Sequence, residues 1–357
     1  MKNATRERIV KMAMTAPNVD NAQPFYFRWN DDQLLIFRDG HRDRQRGNAG
    51  YYVSMVGLGC LLECVIIAAS KEGLAAGISL DFNPERIQEP WAAVSFRPTS
   101  NSPDELYPGL TQRCSDRRLY QGGSLSDSVF QQVLEDASRF EECSLSFQDR
   151  PGDRLMEYLL QCEAFLWQDK HILPEMLSWV RWNRSQVKRT RDGMPWQAMA
   201  VSYLTSRLMM LVARSRVFRK IARRSGGPLR AQQRNLVSQV QSSAALGCFA
   251  VADSRPETML TVGRAFVRAW IRLNMTGYGV QVMASPALHA LQHEAGLIPE
   301  DYPQASKHIF ARGRAALTKA FGCDESQIPA WMFRTGKSPT LPDNMRTLRR
   351  PLSDMVS

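Results

Sequence analysis

The stretch from Tyr51 to Ala69 constrains this chain more than any other. It is almost wholly apolar, with Ser54 and Glu63 as its polar exceptions and Gly57 and Gly59 inside it. A run of that length either crosses a membrane or is buried on every side. A glutamate in mid-membrane costs a few kcal/mol, so the stretch reads as the core helix of a large soluble fold. Such a helix needs apolar neighbours all round. With 357 residues, 44% hydrophobic and 23% charged, the chain can supply them.

The rest of the chain alternates helices and strands. A short helix over 3–15 stops before Pro17, and a polar loop runs from Asn18 to Pro24. Phe25–Trp29 and Leu34–Phe37 read as a hairpin around Asn30-Asp31-Asp32-Gln33. Strands are expected near 78–82 and 92–96, then a linker over 100–109. Further on, helices are expected from Ser126 to Phe140, from Asp153 to Trp167 and from Pro256 to Met275. Strands are expected at 144–147, 247–251, 280–283 and 332–334, followed by a polar tail over 338–357. Both parts carry the same series: strand, long buried helix ending in glycine, strand. The fold class is therefore α+β, with a mixed sheet, long buried helices and two related halves. The halves are expected at 1–105 and 106–357.

Seven cysteines, Cys60, Cys64, Cys114, Cys143, Cys162, Cys248 and Cys323, show no Cys-x-x-Cys spacing. That points away from a disulfide framework or zinc knuckle and toward reduced thiols in a cytoplasmic protein. Met1 to Met14 lacks the apolar run of a signal peptide. His289 and His293 are spaced i, i+4, but His-Ala-Leu-Gln-His lacks a metalloprotease glutamate. They are expected to be solvated helix histidines with no metal.

Two stretches carry chemistry. Ala16-Pro17-Asn18-Val19-Asp20-Asn21-Ala22-Gln23-Pro24-Phe25 is a turn rich in amides, which donate and accept. It suits the edge of a flavin ring; it also suits a turn that satisfies its own backbone. Arg113-Cys114-Ser115-Asp116-Arg117-Arg118 gathers three arginines and a serine, a set able to grip a phosphate; a solvated basic turn paired with Asp116 is the plainer alternative.

Together these stretches resemble the flavin-dependent nitroreductase family, which has an Arg-x-Ser-x-Arg/Lys phosphate motif and an Ala-Pro-Ser-x-x-Asn-x-Gln-Pro-Trp ring motif. Here the ring motif comes first, as in the fused, single-chain branch that includes the mycobacterial Acg-like proteins. Arg349-Arg350-Pro351-Leu352-Ser353-Asp354 resembles that branch's ending, and Gly263-Arg264-Ala265-Phe266 and Gly277-Tyr278-Gly279-Val280-Gln281 agree. Asn18 and Val19 depart from the usual small residues, and Phe25 from the usual tryptophan. The resemblance implies a nitroreductase-like pseudo-dimer holding one FMN. Arg113, Ser115 and Arg117 would hold its phosphate, and Arg349 or Arg350 would close over it. Pro17, Asn18 and Asn21 would touch the ring, with Val282, Met283 and Ser285 on its other side. It also implies hydride transfer from NAD(P)H to FMN and on to a small acceptor. A flavin-sequestering protein with little turnover is the other reading.

The net charge of +11 is concentrated in one place. Arg181 to Arg234 holds 14 Lys or Arg against Asp192 alone, +13 in all, which leaves the rest of the chain near −2. Within this insertion (about 181–235), Val201 to Ile221 sets Leu204, Leu208, Leu211 and Phe218 along one helical stripe, with arginines mostly off it. Such a stripe is expected to pack as a lid over the flavin pocket. A basic amphipathic helix at 201–221 also fits an anionic membrane surface. Nucleic-acid binding would call for interleaved exposed aromatics, which are sparse here.

Overall fold

The computed structural model describes residues 1–43, 46–86 and 88–356. The first part runs α1 (Asn3–Ala13), β1 (Phe25–Asn30), β2 (Gln33–Arg38), α2 (Tyr52–Lys71), β3 (Leu74–Leu80) and β4 (Ala92–Pro98). The second opens with α3 (Asp127–Ser138) and β5 (Cys143–Gln148). A helical excursion follows: α4 (Asp153–Gln168), α5 (Ile172–Ser178), β6 (Val180–Arg181), α6 (Arg184–Thr190), β7 (Met194–Pro195), α7 (Tyr203–Arg214), α8 (Arg216–Ser225) and α9 (Gly227–Gln241). The chain then continues through β8 (Ala245–Val251), α10 (Pro256–Met275), β9 (Tyr278–Val282), α11 (Ser285–Glu294), α12 (Gln304–Ala311), α13 (Gly313–Phe321) and β10 (Ile328–Lys337).

Two four-stranded sheets carry the fold, with orders β1-β2-β4-β3 and β5-β8-β10-β9. The second order repeats the first strand for strand. In each sheet the second strand leads into a 20-residue helix, and the strand after that helix takes the far edge. The last strand then fits between. A helix precedes each unit, α1 packing on α2 and α3 on α10. Two related α+β halves are thus visible in the topology. The expected mixed sheet is realised as two sheets that are antiparallel throughout. Among the described elements, parallel pairing of named strands is confined to the short β6–β7 pair.

The apolar stretch is α2, buried along almost its whole length. Its principal partner is α10, and the two cross where Gly59 lies against Leu260 and Gly263 against Val56. A Cβ on Gly59 would lie 2.0 Å from the Leu260 carbonyl oxygen, and one on Gly263 would lie 2.1 Å from that of Val56. Only hydrogen at both positions allows this backbone contact. Glu63, the charged exception of the apolar run, is answered across the same interface by Arg264 (2.9 Å) and Arg268 (2.8 Å). Arg268 also reaches Asp104 at 2.8 Å, and Arg272 pairs with Asp136 at 2.8 Å. The paired network lets charge sit inside an apolar core.

Two details of the chain differ from the sequence reading. The helix expected over 201–221 is broken at Ser215, which is extended (φ −120°, ψ 123°) and accepts from the Phe218 amide to start α8. Serine competes for helix backbone in this way and favours caps over interiors. His289 is not solvated. It is buried, its Nδ1 lies 3.1 Å from Gln292 Oε1, and burial lowers its pKa to about 4.

Candidate functional site

The amide-rich turn leaves α1 and returns as β1. Asp20, Asn21 and Gln23 all have positive φ, at 53°, 54° and 54°. This is a costly conformation that persists only when the surroundings impose it. Two other segments impose it here. Asn21 Nδ2 donates to the Gly193 and Leu348 carbonyls, each at 2.9 Å. Gln23 Nε2 donates to the Arg191 carbonyl at 2.9 Å, and Gln23 Oε1 accepts from the Arg350 amide at 2.8 Å. The turn is therefore stapled to the start of the basic insertion and to the C-terminal tail. Asn18 Oδ1 accepts from the Gln23 amide at 2.8 Å, and Pro17 lies beside it, partly exposed. The tail continues over β1, where Phe27 N donates to the Met355 carbonyl at 2.7 Å. A cleft of about 250 Å³ lies beneath it, lined by Gln23, Phe25, Tyr26, Asp39, Arg350 and residues 353–356.

The arginine motif meets this turn across 98 positions of sequence. Arg113 Nη2 donates to the Thr15 carbonyl at 2.9 Å, and its guanidinium lies 4.5 Å from the centre of the Trp270 ring. Its Nε is buried without a partner among the described residues. Arg349 arrives from the tail at the same place. It donates to the carbonyls of Met14 (2.7 Å), Thr15 (3.1 Å) and Ala16 (3.3 Å), and also to Asn21 Oδ1. Two guanidiniums thus share one carbonyl oxygen, and neither makes a salt bridge among the described residues. Burial, then the charge of Arg113, lowers the Arg349 pKa to about 9. Burial lowers that of Arg113 as well, and Arg346 adds to the positive field at both. Cys64, close by, is pushed up to about 12 by burial despite the Arg113 charge.

Other residues picked out from the sequence lie apart from this pair. Ser115 is bridged to Val280 and Asp116 N donates to the Val280 carbonyl at 2.9 Å, so the motif runs along β9 well before α3. Arg117 turns toward the insertion, its Nη1 3.4 Å from the Ala198 carbonyl, and it opposes the burial that raises Asp20 to about 6. Arg118 pairs with Asp116 at 2.7 Å. The Arg350 side chain turns to Asp354, so Arg349 is the tail arginine that reaches Arg113. Val282 ends β9 and Ser285 begins α11. Met283 N donates to the Met332 carbonyl at 2.9 Å. No hydrogen bond joins 282–285 to the turn among the described residues. Asp20, Gln23, Arg346 and Trp270 were not singled out from the sequence. Only the Gln-Pro of the ring motif hinted at Gln23.

The insertion borders the turn through residues 191–198 and not through its apolar stripe. Gly193 N donates to the Asn21 carbonyl at 3.1 Å, and Asp192 pairs with Arg42 (2.9 Å) and Arg181 (2.7 Å). The stripe expected to pack as a lid is exposed: Leu204 is 70% accessible, Leu208 56% and Phe218 46%. α7 buries its other face, with Met209, Met210 and Ala213 against Leu173, Leu177 and Trp182.

The chain matches no protein-family model and no curated protein. Among solved structures it is similar to a nitroreductase with bound FMN from Desulfitobacterium hafniense DCB-2, at 11% identity over 71% of this chain and 97% of that one, TM-score 0.40. It is also similar to the FMN-dependent nitroreductase NfnB from Mycobacterium smegmatis in complex with NADPH, at 12% identity over 69% and 94%, TM-score 0.37. A nitroreductase-like family protein from Bacillus cereus matches at 10% identity over 72% and 96%, TM-score 0.34.

Proposed function

We propose that this chain is an FMN-binding oxidoreductase of nitroreductase type, built from two related halves, 1–105 and 106–357, that share one flavin site. The observation that carries the reading is the Arg113–Arg349 pair: a buried and a partly buried guanidinium on one carbonyl oxygen, with an orphaned Arg113 Nε and, among the described residues, no carboxylate partner. Buried charge left unpaired is expensive, and a phosphate monoester carrying close to two negative charges would balance it. The donors suit such a group: Arg113 and Arg349 would hold the phosphate, with Arg346 reinforcing the field. The Pro17–Asn18–Asn21 turn stands beside them, shaped by Gln23. Bound FMN would supply the redox chemistry, carrying a hydride's electrons from NAD(P)H to a small acceptor.

The chain's own residues would fix the phosphate end, and hydrogen bonds to residues 191, 193, 348 and 350 hold the turn in its strained form. All seven cysteines are free, in keeping with a reducing compartment such as the cytoplasm. The stapling of Asn21 and Gln23 by tail and insertion also supports the second reading, a flavin-holding protein with slow exchange and little turnover.

The visible spectrum during FMN titration tests the proposal, with one FMN per chain expected. A chain that takes up no FMN overturns both readings. NAD(P)H oxidation with a nitroaromatic or quinone acceptor then separates enzyme from flavin holder.

A further inference from the structure

Seven of the eleven large hydrophobic side chains that are exposed among the described residues lie between Tyr203 and Ile221. On α7, Leu204, Leu208 and Leu211 (70, 56 and 39% accessible) follow i, i+4, i+7 spacing on the face opposite the one that packs inward. On α8, Val217, Phe218 and Ile221 (66, 46 and 56% accessible) form the second part of the patch. No residue of α8 is buried, and its main packing partners are only α7 and α9. A ten-residue helix is marginal in water by itself, and contiguous apolar surface of this kind marks an interface.

Charge identifies what covers it. From Gly193 to Ala252 there is no aspartate or glutamate, while Arg207, Arg214, Arg216, Arg219, Lys220, Arg223, Arg224, Arg230 and Arg234 all fall inside. The ion pairs of the insertion run through Asp192, outside this span. At 100° per residue, Val217, Phe218 and Ile221 share one side of α8, while Arg216, Lys220 and Arg223 take the other. A second copy of the same face would bring like charges together. An exposed apolar stripe flanked by long cationic side chains fits the headgroup–acyl boundary of an anionic bilayer, where arginine and lysine reach outward to phosphates.

We propose that α7 and α8 dock this protein on anionic lipid surfaces, with the body held above the bilayer by α5 and α9. The inference does not depend on the flavin reading. The full-length protein is cosedimented with vesicles of phosphatidylcholine, alone or with about one-third phosphatidylglycerol, at physiological and at about 0.5 M salt. Partition onto anionic vesicles should exceed that onto neutral ones about a hundredfold, and high salt should reverse most of it. Leu208→Glu with Phe218→Glu, and separately Lys220→Glu with Arg224→Glu, should abolish binding. Because these side chains are exposed, melting temperature should be unchanged in both. Equal partition onto both vesicles, no sedimentation with either, or wild-type binding by the variants would overturn the proposal. So would concentration-dependent self-association that Leu208→Glu removes, since the stripe would then be a contact between copies.

Discussion

Replacing Arg113 by methionine separates a ligand-binding arginine from a structural one, because the two roles predict opposite signs. In the folded chain Arg113 is buried, keeps one Nη2 bond to the Thr15 carbonyl and leaves Nε without a partner among the described residues. It also shares its surroundings with Arg349, whose pKa is lowered to about 9 by burial and by the charge of Arg113. Methionine fills similar volume and removes a charge that has no salt-bridge partner among the described residues. Replacing buried charge with packed apolar atoms is often neutral or stabilising, by about 1–4 kcal/mol. The lost contact with Trp270 works against this by roughly 0.5–2 kcal/mol. The ligand-free variant should therefore melt at or slightly above the temperature of the parent. Toward FMN the variant loses charge-assisted hydrogen bonds of about 1.5–3 kcal/mol each. Its Kd should rise roughly ten- to a hundredfold. Riboflavin, which has no phosphate, should bind both proteins alike. Flavin fluorescence titration and differential scanning fluorimetry read the two quantities. An unchanged FMN Kd together with a melting temperature several degrees lower would refute the reasoning, making Arg113 a prop for Thr15 and Trp270.

Other substitutions report on the frame around the site. Gly263→Ala should destabilise by about 1–3 kcal/mol or more, since its Cβ would lie 2.1 Å from the Val56 carbonyl oxygen; urea denaturation measures it, and wild-type stability would contradict the close crossing. Arg268→Ala leaves Asp104, and in part Glu63, without a buried partner, so a loss of about 3–5 kcal/mol is expected in the same assay. Asp20 is raised from 3.8 to about 6 chiefly by burial, so the folded chain holds that proton more tightly than the unfolded one. The resulting stability is complete below about pH 4 and lost as pH rises through 6. Asp20→Asn should thus melt higher than the parent at pH 7.5 and converge with it toward pH 4; a gap that widens on acidification would reverse the sign.

What the sequence determined by itself is the set of elements whose signal is local. The apolar run from Tyr51 to Ala69 became α2 (Tyr52–Lys71), Pro256–Met275 was read at its observed bounds, and the hairpin at 25–37 pairs Asn30 with Gln33 across its turn. Apolar periodicity over ten or twenty residues is enough for that, because burial on one or all faces is written into each segment. The helices α12 and α13 and the break at Ser215 were not legible, since their patterns are short. Tertiary structure alone decided the repeated strand order, the Gly59–Gly263 crossing and the answer of Arg264 and Arg268 to Glu63. It also decided that Arg349, not Arg350, reaches Arg113, and that Arg117 turns away toward Ala198. In every such case the partner lies far along the chain, and a side chain's direction depends on packing that no local pattern records. The apolar stripe of 201–221 shows the limit most plainly: periodicity says that a face is apolar, and only the fold says whether anything covers it.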